Sequence, residues 1–209
     1  MIKIVANVLN EDLFSYSRSF YENLEYEKIK ISGAFGLFNL KFIDHVITHV
    51  DTDFAVLIDE DCFITKQSAF IDLINYVVEN NIDAIGMPDG GSCLYRNFDP
   101  HSINPFFCIL NVKHLKEKYN LHDVLNTSYD YDGEVEHEPY YKFFHWLIQN
   151  NFNIEYLAVN EFPIYPTVIL KNHKGVEFAY HTWEARYWNE GLNHKRILNV
   201  IDHCNTIKS

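Results

Sequence analysis

Ile2 to Val8 is a short β-branched apolar run and predicts a first buried strand. Asn10-Glu11-Asp12 supplies helix-capping chemistry, after which Leu13 to Leu24 carries apolar residues at helical spacing. Lys28 to Ile31 predicts a second strand. Beyond Gly33 and Gly36 the helical period returns from Leu37 to Val50, through Leu40, Phe42, Ile43, Val46 and Ile47. Phe54 to Ile58 is an uninterrupted apolar run of strand length, which predicts a central strand covered on both faces. It stops abruptly at Asp59-Glu60-Asp61.

Downstream, the pattern predicts a helix over Gln67 to Asn80, a strand over Asp83 to Met87 and a turn at Pro88-Asp89-Gly90-Gly91. Phe106 to Val112 predicts a strand and Lys113 to Tyr119 a short helix. Asn126 to Pro139 is polar and acidic, and Tyr140 to Gln149 is again helical. Ile154 to Val159 is the last clear strand, and the tail from Trp183 reads as helix. Strands alternating with helices predict an α/β fold with a mainly parallel sheet. No repeat, low-complexity tract or linker divides residues 1–209, so the expectation is a single domain.

Composition narrows the function classes. Seventeen Lys and Arg against 29 Asp and Glu leave a net charge of −12, which opposes unspecific binding to nucleic acid or an anionic membrane. Cys62, Cys93, Cys108 and Cys204 contain no CxxC pair, so neither a zinc site nor a disulfide framework is expected. They read as reduced thiols in a cytoplasmic protein. The N-terminal apolar run is too short and too soon polar for a signal peptide. Spacings such as HExxH are absent among the histidines, so zinc-protease chemistry has no support.

The acidic strand end is the most informative feature. Ligands of parallel α/β sheets bind beyond the carboxyl ends of the strands. Alternation points Asp59 and Asp61 to one side, where two carboxylates repel each other unless a cation lies between them. A hard ion such as Mg²⁺ or Mn²⁺ suits that pair, with positions left for phosphate oxygens. The plainer alternative is an acidic turn in which Asp61 or Thr65 caps the next helix.

The stretch Gly33 to Ile64, a helix leading into His49-Val50-Asp51-Thr52-Asp53 and then the buried strand ending Asp59-Glu60-Asp61, resembles the nucleotide-sugar-binding half of GT-A glycosyltransferases. The resemblance extends loosely over residues 1 to 185. It implies a Rossmann-like GT-A sheet, a DxD motif at Asp59 and Asp61 with Glu60 as its middle residue, and Mn²⁺ or Mg²⁺ held against a UDP- or GDP-sugar donor. Residues 1–112 would then form the donor half, and 113–209 the acceptor half with a helical tail. Only 58 residues precede the motif, fewer than is usual in that fold, which leaves the nucleotide open.

The same resemblance assigns roles to two later clusters. Tyr129 to Pro139 holds five carboxylates before a helix, where inverting members keep a base that deprotonates the acceptor hydroxyl. Asp132 and Glu134 match best by position, with Asp130 behind them. The alternative is an ordinary acidic helix start, with Pro139 in the first turn. Several members carry a late metal-binding His, and His181 in Phe178-Ala179-Tyr180-His181-Thr182-Trp183 resembles it. A satisfied core histidine is the competing reading. Among Arg186, Lys195 and Arg196, one guanidinium would steady the nucleotide diphosphate, Arg186 foremost. Lys195 and Arg196, taken individually, read rather as a solvated helix face.

The function expected is therefore metal-dependent transfer of a sugar to an acceptor hydroxyl. Two alternatives stand beside it. A haloacid-dehalogenase-like phosphatase would use Asp59 as nucleophile and Asp61 as acid/base, although that family places its motif on the first strand and prefers Thr or Val where this chain has Phe63. The other is a non-catalytic domain that binds a sugar or nucleotide.

Overall fold

The computed structural model describes residues 1–33, 36, 39–129 and 138–209. The first strand, β1 (Ile2–Val8), leads into α1 (Glu11–Arg18), which starts where the Asn10 side chain accepts from the Leu13 amide at 3.0 Å. This helix ends six residues before the expected Leu24. Phe20, Tyr21 and Leu24 are nevertheless buried, so their spacing reflects packing in turns rather than helix. Next come β2 (Glu27–Ser32), α2 (Leu40–His49) and β3 (Phe54–Asp59). Ala55, Val56, Leu57 and Ile58 are all 0% exposed, as a strand covered on both faces requires.

After β3 follow β4 (Cys62–Ile64), α3 (Gln67–Glu79), β5 (Ala84–Pro88), β6 (Ile103–Leu110), α4 (Val112–Lys116) and α5 (Leu121–Asn126). The chain continues with α6 (Tyr141–Gln149), β7 (Ile154–Tyr156), β8 (Val159–Glu161), β9 (Val168–Lys171) and β10 (Glu177–His181), then α7 (Gly191–Ile207). Tyr140 is the N-cap of α6, so Pro139 precedes the helix instead of occupying its first turn.

The central sheet has the order β2-β1-β3-β6-β5-β7. All its neighbouring pairs are parallel except those of β6, which runs antiparallel to β3 and β5. This is the expected α/β architecture: a mainly parallel sheet flanked by helices. Strand alternation divides the core between its two faces. Val56 and Ile58 point to the side packed by α1, α3 and α7. Ala55 and Leu57 point to the side packed by α2, α4 and α6.

A second, antiparallel sheet of order β4-β10-β9-β8 was not expected from the sequence. Ile154 to Val159 is not the last strand: it divides into β7 and the start of β8, and two more strands follow. These strands are three to five residues long, too short for a period of two to stand out against their flanks. The second sheet matters because β4 begins directly after the acidic turn and carries the chain from one sheet to the other.

Candidate metal centre and cleft

β3 ends at Asp59, the chain turns through Glu60 and Asp61, and β4 then pairs antiparallel with β10. In that register His181 lies opposite Cys62, which brings the late histidine beside Asp61. His181 Nε2 is 3.0 Å from Asp61 Oδ1. The Thr182 hydroxyl donates to Asp61 Oδ2 at 3.0 Å, and the Thr182 amide to the Asp61 carbonyl at 3.2 Å. One potential ligand atom each from Asp59, Asp61 and His181 falls within 4.8 Å of the others. The helix-capping alternative fails on geometry. The N-cap of α3 is Lys66 with no side-chain bond, and the Thr65 hydroxyl donates to the Phe178 carbonyl.

The histidine ring is held on its faces as well as at its edge. It stacks on Phe106 with centroids 3.8 Å apart and planes 3° from parallel, and Trp183 meets it edge-on at 4.3 Å. With Nε2 directed at Asp61, the other ring nitrogen, Nδ1, is buried without a protein partner.

The carboxylates beside this histidine perturb one another. Burial, and then the charges of Glu60 and Asp61, push the Asp59 carboxyl well above the ordinary range. Glu60 rises to about 7, through burial first and Asp61 second, against the Leu9 amide that donates to its Oε2 at 3.3 Å. For Asp61 burial also acts upward, but His181 and Thr182 together outweigh it and hold the carboxyl below its usual value. Three carboxylates therefore crowd one strand end, with His181 and Thr182 facing Asp61 and the Leu9 amide facing Glu60. Two carboxylate oxygens and an imidazole nitrogen form a donor set that fits a divalent cation, which would relieve the repulsion between Asp59 and Asp61.

These residues line a cleft of about 790 Å³ at the carboxyl end of the central sheet. The β1 and β2 ends contribute Asn7 and Gly33, packed so closely that a Cβ on Gly33 would lie 2.8 Å from Leu9 Cδ2. Asn7 Oδ1 and Trp183 Nε1, both in cleft-lining residues, are buried without protein partners.

A polar cluster that the sequence did not disclose forms another wall. Asp89, 0% exposed, accepts from Arg96 Nε and Nη2 at 2.8 Å each, from Asn104 Nδ2 at 2.6 Å and from the hydroxyls of Tyr140 and Tyr141. Arg96 Nη2 also reaches Glu138 at 3.2 Å, and Asn39 donates to the other Glu138 oxygen at 3.0 Å. The only local signal was the Pro88-Asp89-Gly90-Gly91 turn, since the partners come from distant elements with no shared spacing.

Arg186 is exposed and lines the cleft. Lys195 is exposed on α7. Arg196 is not a solvated helix residue: its guanidinium donates to the carbonyls of Pro166, Thr182 and Trp183 and to Asn193 Oδ1. Asp130, Asp132 and Glu134 lie outside the described residues. All four cysteines are buried and free. Among the described residues no helix is long and apolar enough to cross a membrane.

No family model and no curated protein matches the sequence. Among solved structures, a protein from STIV superposes with a TM-score of 0.48 at 11% identity, over 82% of this chain and 94% of that one. A glycosyltransferase involved in the glycosylation of the major capsid of PBCV-1 gives 0.38 at 10% identity, over 56% of this chain and 61% of its own. The bifunctional IspDF from Campylobacter jejuni gives 0.39 at 13% identity, over 77% of this chain and half of its own. Similarity at these levels says nothing about the chemistry of the cleft.

Proposed function

We propose that this chain is a metal-dependent glycosyltransferase that moves a sugar from a nucleoside-diphosphate donor, a UDP- or GDP-sugar, to an acceptor hydroxyl. The observation that carries the reading is the meeting of Asp59, Asp61 and His181 at a strand's carboxyl end inside an open cleft. These three residues would hold Mn²⁺ or Mg²⁺, which when bound supplies positive charge to the diphosphate leaving group.

The remaining work falls to the chain's own groups. Arg186, exposed at the cleft, suits a second contact to the diphosphate. Glu60, tied to the Leu9 amide, anchors the acidic turn to the loop after β1, so the metal ligands keep their orientation. Asp132 or Glu134 is the proposed base. It takes the proton of the acceptor hydroxyl as that oxygen bonds to the anomeric carbon and the bond from that carbon to the diphosphate breaks. Their position in the chain just ahead of Glu138, which lines the cleft, supports this assignment. Residues 1–112 supply the donor side in this reading, and 113–209 the acceptor side.

The test is thermal unfolding with UDP-, GDP-, CMP- and dTDP-sugars, each with and without Mn²⁺. A ligand confined to the folded state raises the melting temperature by mass action. The expected result is a rise that requires both one nucleotide class and the metal, followed by detection of sugar transfer. No shift with any nucleotide sugar overturns the reading, and turnover of phosphomonoesters instead would favour the phosphatase alternative. Metal-dependent donor binding without transfer or hydrolysis would mark a binding domain.

A further inference from the structure

Immediately after His181 the backbone does something unusual. Trp183 and Glu184 are consecutive non-glycine residues at φ 55° and 61°, in the left-handed region that L side chains avoid. Such a pair persists only where its surroundings over-determine it. The restraint comes from α7. Arg196 Nη1 donates to the Thr182 carbonyl at 2.6 Å and Nη2 to the Trp183 carbonyl at 2.8 Å. Asn193 Nδ2 donates to the next carbonyl, Glu184, at 3.0 Å, while Asn193 Oδ1 accepts from Arg196 Nε at 2.9 Å. Three successive carbonyls of the strained segment are therefore held by two side chains one helical turn apart.

The other end of the segment is tied to the metal centre. Thr182 gives its hydroxyl to Asp61 Oδ2 and its amide to the Asp61 carbonyl. A planar guanidinium fork suits this task, because its donors are fixed relative to one another and can span adjacent carbonyls. From this chain of contacts we infer that Arg196, braced by Asn193, is a positioning residue for the metal centre. It holds the strained strand exit so that Thr182 and His181 keep Asp61 aimed at the ion, and so that Trp183 and Glu184 face the cleft. The inference rests on the metal reading above, but not on which donor or acceptor is used.

The test measures Mn²⁺ alone, by loss of the free-ion electron paramagnetic resonance signal on titration with the full chain. Groups that orient metal ligands typically change affinity 10–100-fold when removed. Arg196→Ala, with wild-type circular dichroism, is expected to bind Mn²⁺ about 10–100-fold more weakly. Added guanidinium ion at millimolar level should recover much of that loss, whereas Arg196→Lys, with one point donor in place of a fork, should stay weak. A folded Arg196→Ala variant with wild-type affinity overturns the inference. So does a loss that guanidinium does not recover and that only follows the fall in melting temperature. If Arg196→Ala does not fold, Asn193→Ala decides, since it frees the Glu184 carbonyl while keeping the guanidinium. A weaker Mn²⁺ titration supports the inference and an unchanged one overturns it. Failure of the wild type to bind Mn²⁺ at all would overturn the metal reading itself, and this inference with it.

Discussion

His181 Nε2 lies 3.0 Å from Asp61 Oδ1, with both side chains almost wholly buried at the junction of the two sheets. The pair exists because β4, which follows Asp61, is the strand that β10 selects as its antiparallel neighbour. A buried acid held below its usual range by an imidazole and a hydroxyl is ready to accept a cation as a third partner.

Asp61→Asn tests that readiness. Asparagine still accepts from the Thr182 hydroxyl, so the fold should survive. Removing the charge should weaken Mn²⁺ binding by more than about tenfold, at least the loss seen when merely an orienting group is removed. Calorimetric titration with Mn²⁺ reads the effect, and unchanged affinity in a folded variant would falsify the assignment of Asp61 as a ligand.

Asp89 carries a prediction about stability. Its carboxylate accepts from Arg96, Asn104, Tyr140 and Tyr141 with no exposure to water. Asp89→Ala removes the carboxylate acceptor of two buried tyrosine hydroxyls and the bidentate partner of the Arg96 guanidinium, which keeps its contact with Glu138. Breaking a buried pair from one side costs about 3–5 kcal/mol. Urea unfolding should show a loss of that order, and a loss below about 1 kcal/mol, as for an exposed pair, would contradict it.

Gly86 is a steric prediction. A Cβ there would lie 2.4 Å from Ile103 Cγ2 and 2.6 Å from the Phe107 carbonyl oxygen, so β5 and β6 could not keep their spacing. Gly86→Ala should destabilise by about 1–3 kcal/mol through overpacking. A neutral effect on the urea midpoint would mean that the two strands are farther apart in solution.

Asp99 gives the pH dependence. Burial acts to raise its carboxyl, but His145 Nε2 at 2.7 Å, the Ser102 hydroxyl at 2.6 Å and the His101 amide at 2.9 Å win and lower it. A folded-state value below the unfolded one, about 3.9, contributes stability that is complete above the unfolded value and is lost as pH falls through the folded one. The stability difference between wild type and Asp99→Asn should therefore shrink as pH is lowered below about 4. Urea midpoints at a series of pH values measure this, and a difference that grows on acidification would reverse the sign assigned here.

Much of the framework was legible because its causes are local. β1 was read residue for residue, and α2, β3, α3 and β5 within a few residues at each end, since burial on one or both faces imprints a period on the residues themselves. Asn10 as the cap of α1 was legible for the same reason. The acidic strand end drew attention because charge directly after a fully buried run is costly without a partner. The roles suggested for Asp132 and Glu134 concern residues outside those the structure describes.

What the sequence determined by itself, then, is the alternation of buried strands and amphipathic helices and the point where carboxylates leave the core, because each follows from neighbours along the chain. Tertiary structure alone decided which distant groups complete the site. The β4–β10 register sets His181 beside Asp61, strand packing lays Phe106 on the imidazole, and the docking of α7 brings Arg196 to the carbonyls of Thr182 and Trp183. Those pairings depend on the closing of long loops between short strands, and no spacing in the chain records where such loops close.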